Sequence, residues 1–412
     1  MQTMLRPEWS RKMRFFSFVS MLLLVYVHGY DLNDRYLQPF GLVQERTTFT
    51  TFFEYLTANG LFRFRIPMLF AISGYLLARG DEKGYLRIIG KRFRTIAIPY
   101  FLWSAIGILI VFALLQWSFT RDVVATQLPP DKRSLGDVTA NDWFQIMTGG
   151  GISYQLWFIR SLFILNLLYP VLRLGVLKAP KVLFPVLTLL WLATPMSLFD
   201  TLPQQFQGPW RMLIDGEGLL PFCLGIWLCK RGKDLSRQPR WFSMKGAVAV
   251  LLVLSIAKTW IALNAGIFPG EAIPRITIWV MHKFVVASGL LVAWYGADRL
   301  SAWAMSKRWF RAASDQSFMI YALHVPLVTY LIDPVHGLLQ PFRYYRLATY
   351  LLLPAVLILF CMAVGALLKK VAPPVFGILT GNRGLTPLPE PPAATSEEGS
   401  VRVLPVDAPA VR

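Results

Sequence analysis

Ten apolar runs, each close to the length that spans a lipid bilayer and each closed by charged or turn-forming residues, divide this chain. They cover 14–30, 61–78, 95–117, 155–172, 182–199, 212–229, 245–264, 276–297, 312–332 and 347–372. A helix needs about 20 apolar residues to cross the hydrocarbon, and somewhat fewer where flanking cations snorkel. Arg63 and Arg65 open the second run, while Asp215 and Glu217 shorten the sixth. Helices satisfy every backbone group within one segment, so runs of this length predict an all-α integral membrane protein with about ten transmembrane helices. The first run resembles a signal peptide, but no small-residue cleavage site follows it, so it reads as a retained helix.

Charge gives an independent reading of topology. If residues 1–14 are cytoplasmic, the connections on that side hold 23 Arg and Lys against 9 on the other, which orients the bundle with both termini cytoplasmic. Only 16% of residues are charged, below the roughly 25% of soluble domains. The net charge of +19 would suit nucleic acid on a solvated surface. Here the cations sit in short clusters between apolar runs, so membrane lipid is the expected partner and nucleic acid is not. Cys223, Cys229 and Cys361 lie inside apolar runs without ligand-spaced partners, which predicts neither a disulfide framework nor a metal site. The membrane domain is expected over 1–372. From Pro373 to the end, 373–412, a Pro-rich stretch including TPLPEPPAATSEEGS predicts a disordered cytoplasmic tail. The loop 118–154 has room for a short interfacial helix around Asp142–Met147, or for a lid.

Ionisable groups within the bilayer are costly and each is a candidate for function. The topology sorts them by depth. His28, His324, His282 and Lys283 fall in the outer half, with Arg160, Arg63 and Arg65 at the outer starts of their helices. An outward-opening hydrated pocket accounts for this convergence. His28 suits a general base acting on a hydroxyl, or equally a headgroup-level anchor. His324 carries the same pair of readings, and His282 reads as structural. Lys91-Arg92-Phe93-Arg94 suits either phosphate binding or a topology anchor. Ser73-Gly74 marks a close helix crossing or a nucleophile, with crossing favoured by small residues. Tyr154 and Trp157 fit an interfacial aromatic belt.

In their order and placement, several segments resemble the membrane-bound acyltransferase 3 family: LLLVYVH, FRFRIPMLFAISGYLLARG, KRFRTIAIPYFLWS, LWFIRSLFILNLLYPVL, LPFCLGIWLCKRG and SFMIYALHVPL. The resemblance implies a ten-helix O-acyltransferase of the bacterial cytoplasmic membrane. Such an enzyme takes an acyl group, most often acetyl, from cytoplasmic acyl-coenzyme A and delivers it to a carbohydrate or glycolipid hydroxyl. It further implies that His28 is the catalytic helix 1 histidine, and that Lys91 and Arg94 correspond to an Arg-x-x-Arg-like motif. The family usually has Arg or Lys eleven residues before the histidine, where this chain has Ser17. Arg14, one turn lower, or Arg63 or Arg65 from helix 2, is expected to supply that charge.

The expected mechanism seats the phosphates of acyl-coenzyme A on Lys91, Arg92 and Arg94, with Arg14 nearby, and threads the thioester toward His28. His28 serves as general base, with Arg65 or Arg160 on the oxyanion and His324 orienting the acceptor or a helix. An acyl-enzyme on His28 or Ser73 is the other route. A secondary transporter or glycan exporter would use the same buried His and Arg groups and would require internal repeats and helices interrupted at midplane.

Overall fold

The computed structural model describes residues 7–32, 41–118, 120–121, 139, 152–193, 218–232, 238–240 and 242–385. Among them every regular element is helical. The loop helix expected around Asp142–Met147, together with Asp215 and Glu217, lies outside the described residues. Six segments are long and apolar enough to cross a membrane: Phe49–Arg79, Tyr85–Leu115, Met244–Leu263, Ala272–Gly296, Ser317–Leu339 and Tyr345–Val371. A helix pair bent by 64° would make a seventh span. The protein is therefore a multi-pass membrane protein. Three of the ten expected spans, at 14–30, 182–199 and 212–229, correspond to helices that fall short of this criterion by charge or by described length.

The first is α1 (Pro7–His28), whose early turns carry Arg11, Lys12 and Arg14. The second expected span starts earlier than hydropathy suggested, with α2 (Phe49–Tyr55), a π-helical stretch Leu56–Leu61, and α3 (Arg65–Arg79). A capping box opens it: Thr51 N donates to Thr48 Oγ1 at 3.2 Å and Thr48 N donates to Thr51 Oγ1 at 2.9 Å. Glu54 and Asn59, both fully buried, break the apolar pattern there. The third likewise starts early, with α4 (Tyr85–Arg92), a π-helical stretch Phe93–Ala97, and α5 (Ile98–Leu115).

The bent pair comes next as α6 (Trp157–Leu167) and α7 (Tyr169–Lys178), then α8 (Pro180–Ala193) and α9 (Leu219–Lys230). Two long helices, α10 (Met244–Leu263) and α11 (Ala272–Gly296), pair in antiparallel fashion. The short α12 (Asp298–Ser306) and α13 (Arg308–Ser314) join them to the last long helices, α14 (Ser317–Leu339) and α15 (Tyr345–Val371). Pro373 does not begin a structureless tail. Pro373–Thr380 forms α16 and turns continue to residue 385, because Phe376 has a fully buried seat in the bundle. The remaining tail lies outside the described residues.

α1 is the inner post, packed on α14, α12, α3 and α15. α3 crosses α9 closely: a Cβ at Gly74 would strike the Phe222 carbonyl, and one at Gly225 the Ala71 carbonyl. The outer face of α15 leaves Leu352, Val356, Leu359 and Leu367 exposed, as a lipid-facing helix does. At one end of the bundle Arg14 and Lys369 both pair with Asp315, and Lys12 reaches Asp298 at 2.5 Å. At the other, Arg346 meets Glu45 at 2.7 Å and His336 meets Asp31 at 3.1 Å.

Candidate active site

α14 is broken inside the bundle. Pro326 has no N–H to give the Ala322 carbonyl four residues back, and Val325 before it is extended, with φ −106° and ψ 131°. Gln155, in the short turn before α6, supplies the missing donor. Its Nε2 donates to Ala322 O at 3.0 Å and to Val325 O at 3.2 Å, and its own carbonyl accepts from Tyr321 Oη at 2.7 Å. The repair locks the α6 turn against α14 and fixes His324 in the last turn before the break.

His324 is fully buried, and its Nδ1 donates to Ile320 O at 2.9 Å. In the neutral ring Nε2 therefore bears the lone pair, and this atom has no hydrogen-bond partner among the described residues. The His324 ring lies 5.5 Å from that of His28, the last residue of α1. His28 Nδ1 is 3.2 Å from Tyr154 Oη, and the two rings meet edge to face at 5.0 Å. Tyr154 thus has a specific contact beyond the aromatic-belt role read from its position. α1 ends at His28, and the next residue, Gly29, packs against Pro354 of α15, where a Cβ would clash with the proline ring. Arg65, 3% exposed, opens α3 with Nη1 donating to Phe62 O at 3.0 Å, and its charge acts on both histidines.

The other expected residues separate. Arg160 faces Tyr100, whose hydroxyl it hydrogen-bonds. His282 joins a different centre, with Lys258 Nζ 3.1 Å from its Nδ1. Lys258 is fully buried and also donates to Asn59 O at 2.5 Å. Neither Lys258 nor Gln155 was singled out from sequence. Lys258 sits among apolar neighbours in α10 as a lone charge, the one signal that marked it; an uncharged Gln155 at a helix start gave none.

Below the histidines a cavity of about 250 Å³ runs between α1, α3, α6 and α14. Ser17, Met21, Ser73 and Tyr321 line it, with Arg92 and Arg383. From Met21 to His28 the rise along α1 is about 10 Å at roughly 1.5 Å per residue. Of the four cations expected to hold a donor, only Arg92 lines this cavity; Lys91 and Arg94 are exposed. Arg14 is held by Asp315 and by Ser314 Oγ at 2.8 Å. Among the described residues no group of three or more His, Cys, Asp or Glu could hold a metal ion.

Residues 15–369 match the family model described as an acyltransferase domain. The chain is also similar to the succinoglycan biosynthesis protein ExoH of Rhizobium meliloti (strain 1021), with 24% identity over 340 residues, 79% of this chain and 80% of the relative. No solved structure matches it.

Proposed function

We propose, from the premise that this chain belongs to the acyltransferase 3 family, that it transfers an acyl group, most readily acetyl, from acyl-coenzyme A to a hydroxyl of a cell-surface glycan. The observation that carries this reading is the His28–His324 pair above a partly open cavity. His324 offers an unpartnered buried Nε2, and Tyr154 orients His28. The name of the similar ExoH protein, succinoglycan biosynthesis, supports a polysaccharide acceptor.

In the proposed step the acyl-coenzyme A thioester enters from the cavity side while the acceptor hydroxyl reaches the histidines from the opposite end. His28 takes the hydroxyl proton as the oxygen attacks the thioester carbonyl. The tetrahedral intermediate collapses by breaking the C–S bond. The departing thiolate takes up the proton that His28 received, leaving an ester and free coenzyme A. Arg65 stabilises the oxyanion, favoured over Arg160 because its charge acts on both histidines while Arg160 is engaged with Tyr100. Arg92 attracts donor phosphate. Ser73, whose residue lines the cavity, remains the seat of the acyl-enzyme route.

Ten spans with cytoplasmic termini belong to the same proposal, in the bacterial cytoplasmic membrane. The basic end holding Arg14, Lys369 and Arg92 then faces acyl-coenzyme A. A broken α14 is a feature that a transporter would also have. Membership of an acyltransferase family weighs against that use. Purified protein in liposomes, given labelled acetyl-coenzyme A and candidate polysaccharides, is expected to move label to glycan with equal release of free thiol. Thiol release without labelled glycan, or neither, counts against the reading.

A further inference from the structure

The family match ends at residue 369, yet the ordered protein continues. α16 and the turn after it fold back as a strap beneath the cavity. Trp103 Nε1 donates to Leu379 O at 2.9 Å, and Lys369 Nζ donates to Gly384 O at 2.5 Å. Gly381 and Gly384 take the left-handed conformation, with φ of 60° and 80°. A Cβ at the first would strike the Thr95 backbone, and one at the second the Asp315 backbone. The strap is therefore seated by close backbone contact on two separate elements.

Seating the strap aims Arg383 into the cavity. Pro99 has no N–H for the Thr95 carbonyl four residues back, and Arg383 Nη1 donates to that carbonyl at 2.7 Å and to Thr380 O at 3.0 Å. The guanidinium lies 4.8 Å over the Phe318 ring. Its Nε and Nη2 make no hydrogen bond to the described residues. Arg92 lines the same cavity and makes neither a hydrogen bond nor an ion pair with the described residues. Among the described residues no carboxylate lines this space, and Asp315, the acid beside the strap, is already shared by Arg14 and Lys369.

Two half-buried guanidinium groups line one partly open cavity with no acid among its lining residues, and an anion joining them would relieve their mutual repulsion. Burial, then repulsion from Arg92, pulls the Arg383 pKa down to about 10, so the group stays cationic at neutral pH. We propose that Arg383 and Arg92 form a two-guanidinium receptor for a phosphate group at the inner mouth of the cavity. Guanidinium forks match phosphate oxygens in charge and geometry. The cavity volume of about 250 Å³ is below the roughly 300–1,000 Å³ typical of drug-sized ligands, so it suits an elongated arm following that phosphate rather than a whole nucleotide. Assigning the phosphate to acyl-coenzyme A rests on the acyl-transfer reading above. The phosphate of an anionic lipid headgroup has the same chemistry.

The test uses the full chain in maltoside detergent. Inorganic pyrophosphate and coenzyme A are titrated by calorimetry, and phosphatidylglycerol is added in a separate arm. Wild type is expected to bind pyrophosphate and coenzyme A in competition. Arg383→Gln and Arg92→Gln should each weaken both by about tenfold or more, with Arg383→Lys in between. Trp103→Phe removes one hydrogen bond to the strap without removing a charge and should leave both affinities within about threefold, since the Gly381 and Gly384 contacts still seat Arg383. If pyrophosphate and phosphatidylglycerol bind through Arg383 but coenzyme A does not, the receptor stands, lipid is its ligand, and the donor reading fails. No pyrophosphate binding by wild type, unchanged affinity in folded Arg383→Gln and Arg92→Gln, or equal losses in Arg383→Gln and Trp103→Phe would each overturn the receptor.

Discussion

Two histidine centres sit within the bundle and differ in what meets the imidazole: a buried lysine at one, a second imidazole at the other. At His282 a buried lysine meets both the imidazole and a backbone carbonyl, and it also lies 5.8 Å from the Tyr55 ring centroid. At His28 and His324 the contacts orient the rings but leave His324 Nε2 without a partner among the described residues. The paired lysine and imidazole are contacts of the kind that rigidify a core, although Asn59 Nδ2 and Ser255 Oγ beside them make no hydrogen bond among the described residues. An imidazole nitrogen left with a lone pair, beside a second imidazole and a cation, is what the proposed proton transfer would require. Both centres look alike as sequence, an isolated histidine in an apolar run; their partners distinguish them.

The comparison breaks most sharply at His28. His28→Ala is expected to lower acyl transfer by on the order of a hundredfold to ten-thousandfold, with the detergent melting temperature kept. Near-normal transfer by the folded variant would move the chemistry to Ser73 or to another group. Lys258→Met should do the reverse. It strands a buried carbonyl and a buried imidazole, costing roughly 1–3 kcal/mol for each group left unmet, while activity per folded molecule stays within a few fold. A specific-activity loss as large as that of His28→Ala would erase the distinction between the centres.

A finer cut comes from Gln155→Leu, which orphans the Ala322 and Val325 carbonyls and frees the turn carrying Tyr154. About a tenfold fall in kcat with the donor KM little changed is expected, because the loss is of orientation at the histidines. A rise in donor KM alone would contradict it. The smallest effect is reserved for Asp81, a saturated centre outside the long spans, where Lys230 Nζ, Arg173 Nε and Tyr169 Oη converge. Burial raises its pKa, but the hydrogen bonds from Lys230, Tyr169 and Arg173 outweigh this and hold it below the ordinary value. A depressed carboxylate adds stability that is complete above the unfolded pKa of about 3.9 and is lost as pH falls through the folded value. Melts from pH 7 downward should therefore lose stability in acid, and Asp81→Asn should lower the neutral melting point and flatten that acid slope. A parallel curve for the variant would remove the carboxylate from the account.

Hydropathy and charge made the membrane class, most helix positions and the candidacy of His28 and His324 legible, because bilayer thickness and the cost of buried charge act on each segment separately. The early starts at Phe49 and Tyr85 were hidden because buried Glu54 and Asn59, and the basic α4, interrupt the apolar signal that marks a span. The basic run at Lys91–Arg94 was visible as a cluster, yet which of its cations faces the cavity depends on helical phase against neighbouring helices, and only Arg92 does. Ser17 posed the same limit: Arg14, near in sequence, is held by Asp315, whereas Arg383, hundreds of residues away, lines the cavity beside Ser17. The sequence by itself determined that this chain lives in lipid and that a few ionisable groups must be accommodated there. Tertiary structure alone decided which of those groups are satisfied, since each hydrogen bond that repairs a broken helix or neutralises a charge is made by a residue from another element. Gln155 on α14 and Arg383 on the Thr95 turn are such partners, and no local pattern encodes them.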